Sequence, residues 1–132
     1  MILLDTHVLV WWAGGEHHLL SASARRAIEK ERADGELLVS SISAWEMAML
    51  VARQRLALSM DVSEWLSAVA EVDGLRSVAV DNDIAVASTT LPGELHRDPA
   101  DRIIVATGRK FGAALVTADQ KLRDYSYVRT IW

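Results

Sequence analysis

Residues 1–12, MILLDTHVLVWW, contain the arrangement that decides the fold: a short apolar run that ends at an acid, Asp5. Three further acids stand at comparable junctions between apolar and polar segments, namely Glu46, Asp101 and Asp119. Carboxylates at the ends of buried strands, or just inside the helices that follow them, are where α/β proteins build their sites. If the strands are parallel, we expect the four acids to meet at one edge of the sheet.

Strand-like apolar runs alternate with helix-like segments along the whole chain. We expect strands near Ile2 to Leu4, Leu37 to Ser40, Ser77 to Val80, Ala113 to Thr117 and Val128 to Ile131. We expect helices over Ser21 to Ala33, Ser43 to Gln54, Asp61 to Val72, Ile84 to Leu91 and Pro99 to Lys110. Apolar runs without alternation suit strands that are buried on both faces. The sequence therefore predicts an α/β fold, a parallel sheet of about five strands flanked by helices.

Length and composition limit the possibilities. A chain of 132 residues without a long linker predicts one domain, residues 1–132. The net charge of −4 argues against a protein that holds nucleic acid through overall charge, although metals and local basic patches can still do so. The absence of cysteine excludes a disulfide framework and a thiolate metal site, and it suits a cytoplasmic location. Asp5 and His7 interrupt the first apolar run, so we expect neither a signal peptide nor a membrane span.

The first two acids each have a purely structural alternative. Asp5 or Thr6 can cap a helix that carries the following apolar residues. Ser43 to Glu46 fits a capping box, in which the glutamate reaches back to the amide of the capping residue. Taken alone, these residues do not require a site.

The last two acids can also be explained by helix starts. In Asp98-Pro99-Ala100-Asp101, Asp98 suits the cap, proline suits the first helical position, and Asp101 then gains from the helix dipole. Asp119 closes a strand and can cap the short segment after it. The functional interpretation therefore depends on the joint placement of all four acids.

Four carboxylates at one sheet edge indicate a cation. Two carboxylates about 4 Å apart repel by about 4 kcal/mol at an effective dielectric constant near 20. Oxygen-only ligands favour magnesium, manganese or calcium over zinc, and one or two ions suit such a set. A site of this kind suits phosphodiester hydrolysis. Arg102 and Arg97 are candidates for contacting the substrate phosphate, with solvated surface charge as the alternative for each.

Other chemically active residues show weaker patterns. The four histidines have no ligand-like pairing at helical spacing, and His17 and His18 lie in a glycine-rich loop. Trp12, Trp45 and Trp65 fall at apolar positions of predicted helices, which favours core or partner packing over nucleic-acid stacking.

At this point the chain resembles the PIN-domain ribonucleases, of the toxin type found in virulence-associated toxin–antitoxin pairs. The segments that carry the resemblance are ILLDTHVLVWW, SSISAWEMAML, HRDPADRIIVATG and ALVTADQKL, and their acids Asp5, Glu46, Asp101 and Asp119 match the family's acidic quartet in order. The resemblance implies strand order 3-2-1-4-5, which places Asp5 beside Asp119. It also implies that the quartet is catalytic and binds Mg²⁺ or Mn²⁺, with Thr6 and Thr117 as supporting residues. Within the third motif the family's acid is assigned to Asp101, because it leads the apolar helix, and Asp98 is the neighbouring alternative and otherwise a supporting residue.

The same resemblance implies an activity and partners. The activity would be metal-dependent endonucleolytic cleavage of RNA by a toxin that a small cognate antitoxin protein silences. The chain would form a homodimer. The apolar helical region from Ser21 to Val72 offers a groove for an antitoxin helix, with an ordinary core and a dimer interface as the alternative.

Two other classes of function remain open at the level of the sequence. The first is a phosphoryl-transfer enzyme with Asp5 as nucleophile, although His7 stands where some such enzymes carry a second aspartate. The second is a non-catalytic RNA- or protein-binding module in which the acids only cap helices. Stabilisation by divalent cations would distinguish a metal site from capping acids.

Overall fold

Five short parallel strands form one sheet with the order β3-β2-β1-β4-β5 in this computed structural model, which describes residues 1–132. The elements are β1 (Ile2–Leu4), α1 (Thr6–Ala13), a 3-10 turn (His17–Leu19), α2 (Ala22–Asp34), β2 (Leu37–Ser40), α3 (Ser41–Ala52), α4 (Val62–Ala70), β3 (Leu75–Val78), α5 (Asn82–Ala87), α6 (Pro99–Phe111), β4 (Ala114–Val116), α7 (Gln120–Arg123) and β5 (Thr130–Ile131). The fold class and the strand order expected from the sequence are confirmed.

The sheet is buried on both faces, as the unbroken apolar runs predict. Along β1, Ile2 and Leu4 belong to one core cluster, whereas Leu3 belongs to the cluster on the opposite face. Strand residues alternate between faces, so two helical layers are needed to cover three consecutive apolar residues. All three side chains of β1 are 3% exposed or less, which makes β1 the centre of the molecule.

The register of β1 and β4 places two polar residues side by side at the sheet edge. Leu4 pairs with Val116, so Asp5 and Thr117 are the next residues on the two neighbouring strands. The backbone amide of Asp5 donates to the carbonyl oxygen of Val116 over 3.0 Å, which continues the pairing by one step. The carboxyl ends of both central strands therefore deliver their polar residues to the same place.

Several boundaries differ from those predicted. The third strand is Leu75–Val78 rather than 77–80, because Leu75 and Arg76 pair with β2 despite their partly exposed, polar setting at the sheet edge. The fifth strand is only Thr130–Ile131. Helix α5 ends at Ala87 and not near residue 91, since the hydroxyl groups of Ser88 and Thr89 donate to helical carbonyl oxygens and compete with helix continuation.

None of the helices combines the length and the apolar character that crossing a membrane requires.

Candidate active site

Asp5 has two roles at the end of β1. It caps α1, since its Oδ1 accepts from the backbone amide of Thr6 over 2.8 Å. Its Oδ2 accepts from the hydroxyl group of Thr117 over 2.6 Å. Asp5 is only 9% exposed, and this burial raises the pKa of its carboxyl group, while the two hydrogen bonds oppose the rise. The capping explanation is thus correct for Asp5, yet it leaves a buried carboxyl group that ionises reluctantly.

The capping-box interpretation of Glu46 is wrong. Helix α3 begins at Ser41, and the cap is Ser40, whose hydroxyl oxygen accepts from the amide of Ile42 over 3.1 Å. Glu46 therefore lies in the second turn of the helix, beyond the position from which a glutamate can reach the helix start. Ser43, the expected cap, lies within the helix and is fully buried.

Glu46 is instead the hydrogen-bond acceptor at the end of a chain of two hydroxyl groups. The hydroxyl group of Thr6 donates to Oε1 of Glu46 over 2.6 Å. The hydroxyl oxygens of Thr6 and Ser43 are 2.8 Å apart, and Ser43 is the donor when Thr6 gives its only proton to the carboxylate. Burial raises the pKa of Glu46 to about 7, with Asp5 and Asp101 adding negative charge nearby. This carboxyl group is poised to exchange a proton near neutral pH.

Asp101 and Asp98 share the first turn of α6. Asp98 caps the helix by accepting from the amides of Ala100 and Asp101, and Pro99 occupies the first helical position, as the sequence predicts. Oδ2 of Asp101 lies 2.7 Å from Nε2 of His96. Burial raises the pKa of Asp101 to about 6, and the contact with His96 acts in the opposite direction.

Asp119 caps the short helix α7, accepting from the amide of Lys121 over 2.9 Å. Its own backbone amide donates to the hydroxyl oxygen of Thr117 over 3.1 Å. Since Thr117 also donates to Asp5, one buried threonine links the ends of β1 and β4.

The four predicted acids line a single cavity of about 430 Å³. Its lining consists of Asp5, His7, Val8, Trp11, Glu46, Asp98, Asp101, Ala118 and Asp119. No lysine or arginine lines it, and beside its five carboxyl groups stand the imidazole rings of His7, in the lining, and His96, which contacts Asp101. Carboxylate oxygens without a permanently charged cationic side chain fit Mg²⁺ or Mn²⁺. No three of these side chains stand close enough to form a ready-made ligand set, which suits an ion that keeps several of its waters.

The phosphate-binding role expected for Arg102 is not supported by its position. Its guanidinium group donates to the backbone carbonyl oxygens of Ser88, Leu95 and His96 over 2.8 to 3.4 Å. These contacts tie the loop before α6 to the helix and leave the group outside the cavity lining. Arg97 is exposed and does not line the cavity either.

Three residues near the acids escaped sequence reasoning. His96 contacts Asp101, although no helical spacing linked the two residues. The signal available was its place in the polar loop that leads into Asp98-Pro99. Ser43 was assigned to a cap, whereas its hydroxyl group reaches Thr6. Trp11 lines the cavity. Of the two adjacent tryptophans, Trp11 is the one that lies on the same side of α1 as Asp5 and His7.

The fold and the cavity define a class: a parallel α/β protein with an acidic cavity where the central strands end. The model of the PIN domain family matches residues 2–126, and the chain belongs to that family. It is 41% identical over 133 residues to Ribonuclease VapC22 of Mycobacterium tuberculosis, an alignment that covers 99% of this chain and 98% of the relative. PIN-domain ribonucleases are generally dependent on divalent metal ions.

Solved structures of toxin–antitoxin complexes share the fold. VapBC2 from Rickettsia felis, bound to a DNA fragment from its promoter, matches with a TM-score of 0.71 and 18% identity over 98% of this chain and 97% of that chain. A toxin–antitoxin complex from Klebsiella pneumoniae matches with a TM-score of 0.65 and 21% identity over 97% of this chain and 95% of that chain. At these identities the likeness concerns the fold alone.

Proposed function

We propose that the chain is an endoribonuclease that hydrolyses RNA phosphodiesters with Mg²⁺ or Mn²⁺, as the toxin of a cytoplasmic toxin–antitoxin pair. The observation that carries the proposal is the cavity in which Asp5, Glu46, Asp101 and Asp119 meet without a lysine or an arginine. Membership of the PIN family and the 41% identity to Ribonuclease VapC22 support the ribonuclease activity. We take residues 1–132 as one functional domain.

The carboxyl groups have different roles in this mechanism. Asp5, Asp101 and Asp119, with Glu46 beside them, would hold the cation, directly or through its waters. The cation would supply Lewis-acid polarisation of the phosphoryl oxygen and an activated water molecule. Glu46 accepts the proton of the attacking water, because its carboxyl group lines the same cavity as Asp5 and Asp101 and is held there by the hydroxyl group of Thr6. Thr6 occupies Oε1 of Glu46 and thereby leaves Oε2 for that proton.

The supporting residues keep the acids in place. The hydroxyl group of Thr117 donates a hydrogen bond to Asp5 and accepts one from the backbone amide of Asp119. It therefore sets the spacing between the ends of β1 and β4. Asp98 caps α6 and fixes the turn that carries Asp101. The positions of the acids therefore depend on packed strands and helices rather than on mobile loops.

The two alternative functions have less support. A phosphoaspartyl intermediate on Asp5 needs a neighbouring cation from the chain, and no lysine lines the cavity. A binding module with merely structural acids would explain the caps formed by Asp5, Asp98 and Asp119. It leaves unexplained why Glu46 and Asp101, which cap no helix, are held where burial raises their pKa values.

Two partners complete the proposal. A second cavity, of about 450 Å³, lies away from the acids and is lined by Trp12, Met60 and Trp65 among others. We propose that it receives an apolar segment of the cognate antitoxin, as the sequence of the helical region suggests. A homodimer is proposed as well, as the family resemblance suggests, with the 55% exposed Trp45 as a candidate contact.

The test compares three proteins on a mixed RNA pool with magnesium, with manganese and with chelator. Asp101→Asn should abolish cleavage with either ion. Asp83→Asn is a matched control, because Asp83 also lies in the first turn of a helix but is highly exposed and outside the cavity. It should cut as the wild type does. Cleavage by Asp101→Asn, or cleavage by the wild type in chelator, would contradict the proposal.

A further inference from the structure

Three aromatic rings form a row beside the acidic cavity, and the mechanism above uses none of them. His7 and Trp11 line the cavity together with the carboxyl groups. The ring centroids of His7 and Trp11 are 5.9 Å apart with an interplanar angle of 50°. Trp11 in turn lies 6.1 Å from Trp132, at 52°. An indole ring offers no oxygen to a cation, so its place in the wall of this cavity needs another explanation.

Core packing accounts for only part of the position of Trp11. The ring is partly buried and packs against the core cluster that contains Leu4 and Leu9. The remaining surface faces the acidic cavity. The adjacent Trp12 is also partly buried against the same core, but it lines the separate apolar cavity. Two neighbouring tryptophans on α1 therefore face two chemically different surroundings.

The charge of the cavity makes an uncharged contact valuable to an RNA chain. No lysine or arginine lines the cavity, so the nucleotides beside the cleaved bond find no permanently charged cationic side chain there. Every nucleobase has a π-face, and stacking on an aromatic side chain binds it with little sequence preference and without charge. Aromatic side chains recognise bases in this way in single-stranded RNA, where the base faces are free.

We propose that Trp11, with His7 beside it, is a stacking platform for an unpaired base next to the phosphodiester that is cleaved. The inference rests on the proposed function and deepens it by naming the side chains that hold an unpaired base. His7 and Trp11 already touch, which leaves no room for a base between them. The base therefore lies on the cavity side of Trp11, whose ring is fixed by its neighbours before RNA binds.

The test measures the binding of short, labelled, single-stranded RNAs by fluorescence anisotropy, in the presence of magnesium. All proteins carry Asp101→Asn so that the RNA stays intact. Trp11→Leu should weaken binding by about 5- to 150-fold, the range that stacking of one base corresponds to. Tyr127→Leu is the control, since it also removes an aromatic ring, one that is half exposed and does not line the acidic cavity, and it should leave Kd unchanged.

A second arm locates the base. A series of RNAs each carries one abasic site, at a different position in each. Only one of these positions should weaken binding to the Asp101→Asn protein, by a factor similar to that of Trp11→Leu. The same RNA should cause no further loss with Trp11→Leu, because base and ring act as one pair. A duplex of the same sequence should bind equally weakly to both proteins. Equal effects of the two leucine variants, or losses that add at every abasic position, would overturn the proposal.

Two conservative variants protect the test against misfolding of Trp11→Leu. Trp11→Phe retains a smaller ring and should show an intermediate loss of RNA affinity. His7→Ala removes the exposed side chain beside Trp11 and should also lower RNA affinity. Full RNA affinity in both would overturn the proposal. Cleavage by the wild type is measured in parallel. If the wild type does not cleave RNA but the two leucine variants still differ in RNA affinity, only the proposed function is contradicted. If the wild type cleaves normally and the two variants bind RNA equally well, only the stacking platform is contradicted.

Discussion

Replacing Glu46 by glutamine should stabilise the ion-free protein at pH 8 while abolishing cleavage. Burial near Asp5, Asp101 and Asp98 raises the pKa of Glu46 from 4.5 to about 7. The folded state therefore holds this proton more tightly than the unfolded chain does, and stability falls as pH rises from 4.5 through 7. Glutamine carries no charge, and its Oε1 can still accept the hydrogen bond from Thr6.

The magnitude follows from the raised pKa of Glu46. The rise from 4.5 to about 7 corresponds to roughly 3 kcal/mol of unfolding free energy if it is expressed in full. Glu46 is partly exposed, and solvent screening reduces this to roughly 1–2 kcal/mol. For a chain of this length, a gain of that size raises Tm by about 3–8 °C.

Thermal denaturation followed by circular dichroism measures the effect, in chelator, at pH 8 and pH 5. The gain should be present at pH 8 and largely gone at pH 5, where the wild-type carboxyl group keeps its proton. Glu29→Gln changes an exposed glutamate on α2 and should leave Tm unaltered at both values. Magnesium should raise the Tm of the wild type and narrow the difference. A variant that melts at or below the wild type at pH 8 would refute the reasoning.

Three further substitutions test other contacts. Thr117→Val removes the hydrogen bond donated to buried Asp5 and should lower the free energy of unfolding, measured in urea, by about 1.5–3 kcal/mol. Thr107→Val should cost less, because the hydroxyl group of Thr107 donates only to a helical carbonyl oxygen. A larger loss for Thr107→Val would contradict a charge-assisted bond between Thr117 and Asp5. Asp5→Asn should abolish ion-dependent cleavage with an unchanged circular dichroism spectrum, since asparagine also caps helices; retained cleavage would remove Asp5 from the site. Arg102→Gln should speed hydrogen exchange in residues 88–96, and unchanged exchange would show that its carbonyl contacts are dispensable.

The central strands were predictable because their sequence leaves little choice. Three consecutive apolar residues in β1 require a sheet covered on both faces, and the same holds for β2 and β4. The edge strand β3 was displaced by two residues in the prediction. Its residues are mostly exposed, so backbone pairing with β2 determines its limits, and pairing partners are not visible in the composition of the strand itself.

The start of α3 shows a different limit. Ser40, Ser41 and Ser43 are all acceptable caps, and the local sequence does not rank them. Tertiary contacts decide the matter, since Ser43 is buried against Thr6 from α1 and leaves Ser40 to cap the helix. The assignment of Glu46 to a capping box failed for this reason, although its place among the four acids came from the sequence.

Two contacts in the loop before α6 are not visible in the sequence. The sequence makes Arg102 a candidate for contacting phosphate, and it shows no ligand-like pairing of His96 at helical spacing. The path of residues 88–98 brings three carbonyl oxygens to Arg102 and places His96 beside Asp101. No periodicity describes an irregular loop, so its contacts become visible only in three dimensions.

The order of strands in the sheet also has a consequence in time. β1 stands between β2 and β4, and Asp119 follows β4 near the end of the sequence. During synthesis, residues that supply Asp5, Glu46 and Asp101 leave the ribosome before the strand that completes the sheet beside β1. A chain that stops before Thr117 lacks both Thr117 and Asp119. The cavity therefore cannot form until the residues through Asp119 have been synthesised, and a chain interrupted before that point never acquires the complete set of acids.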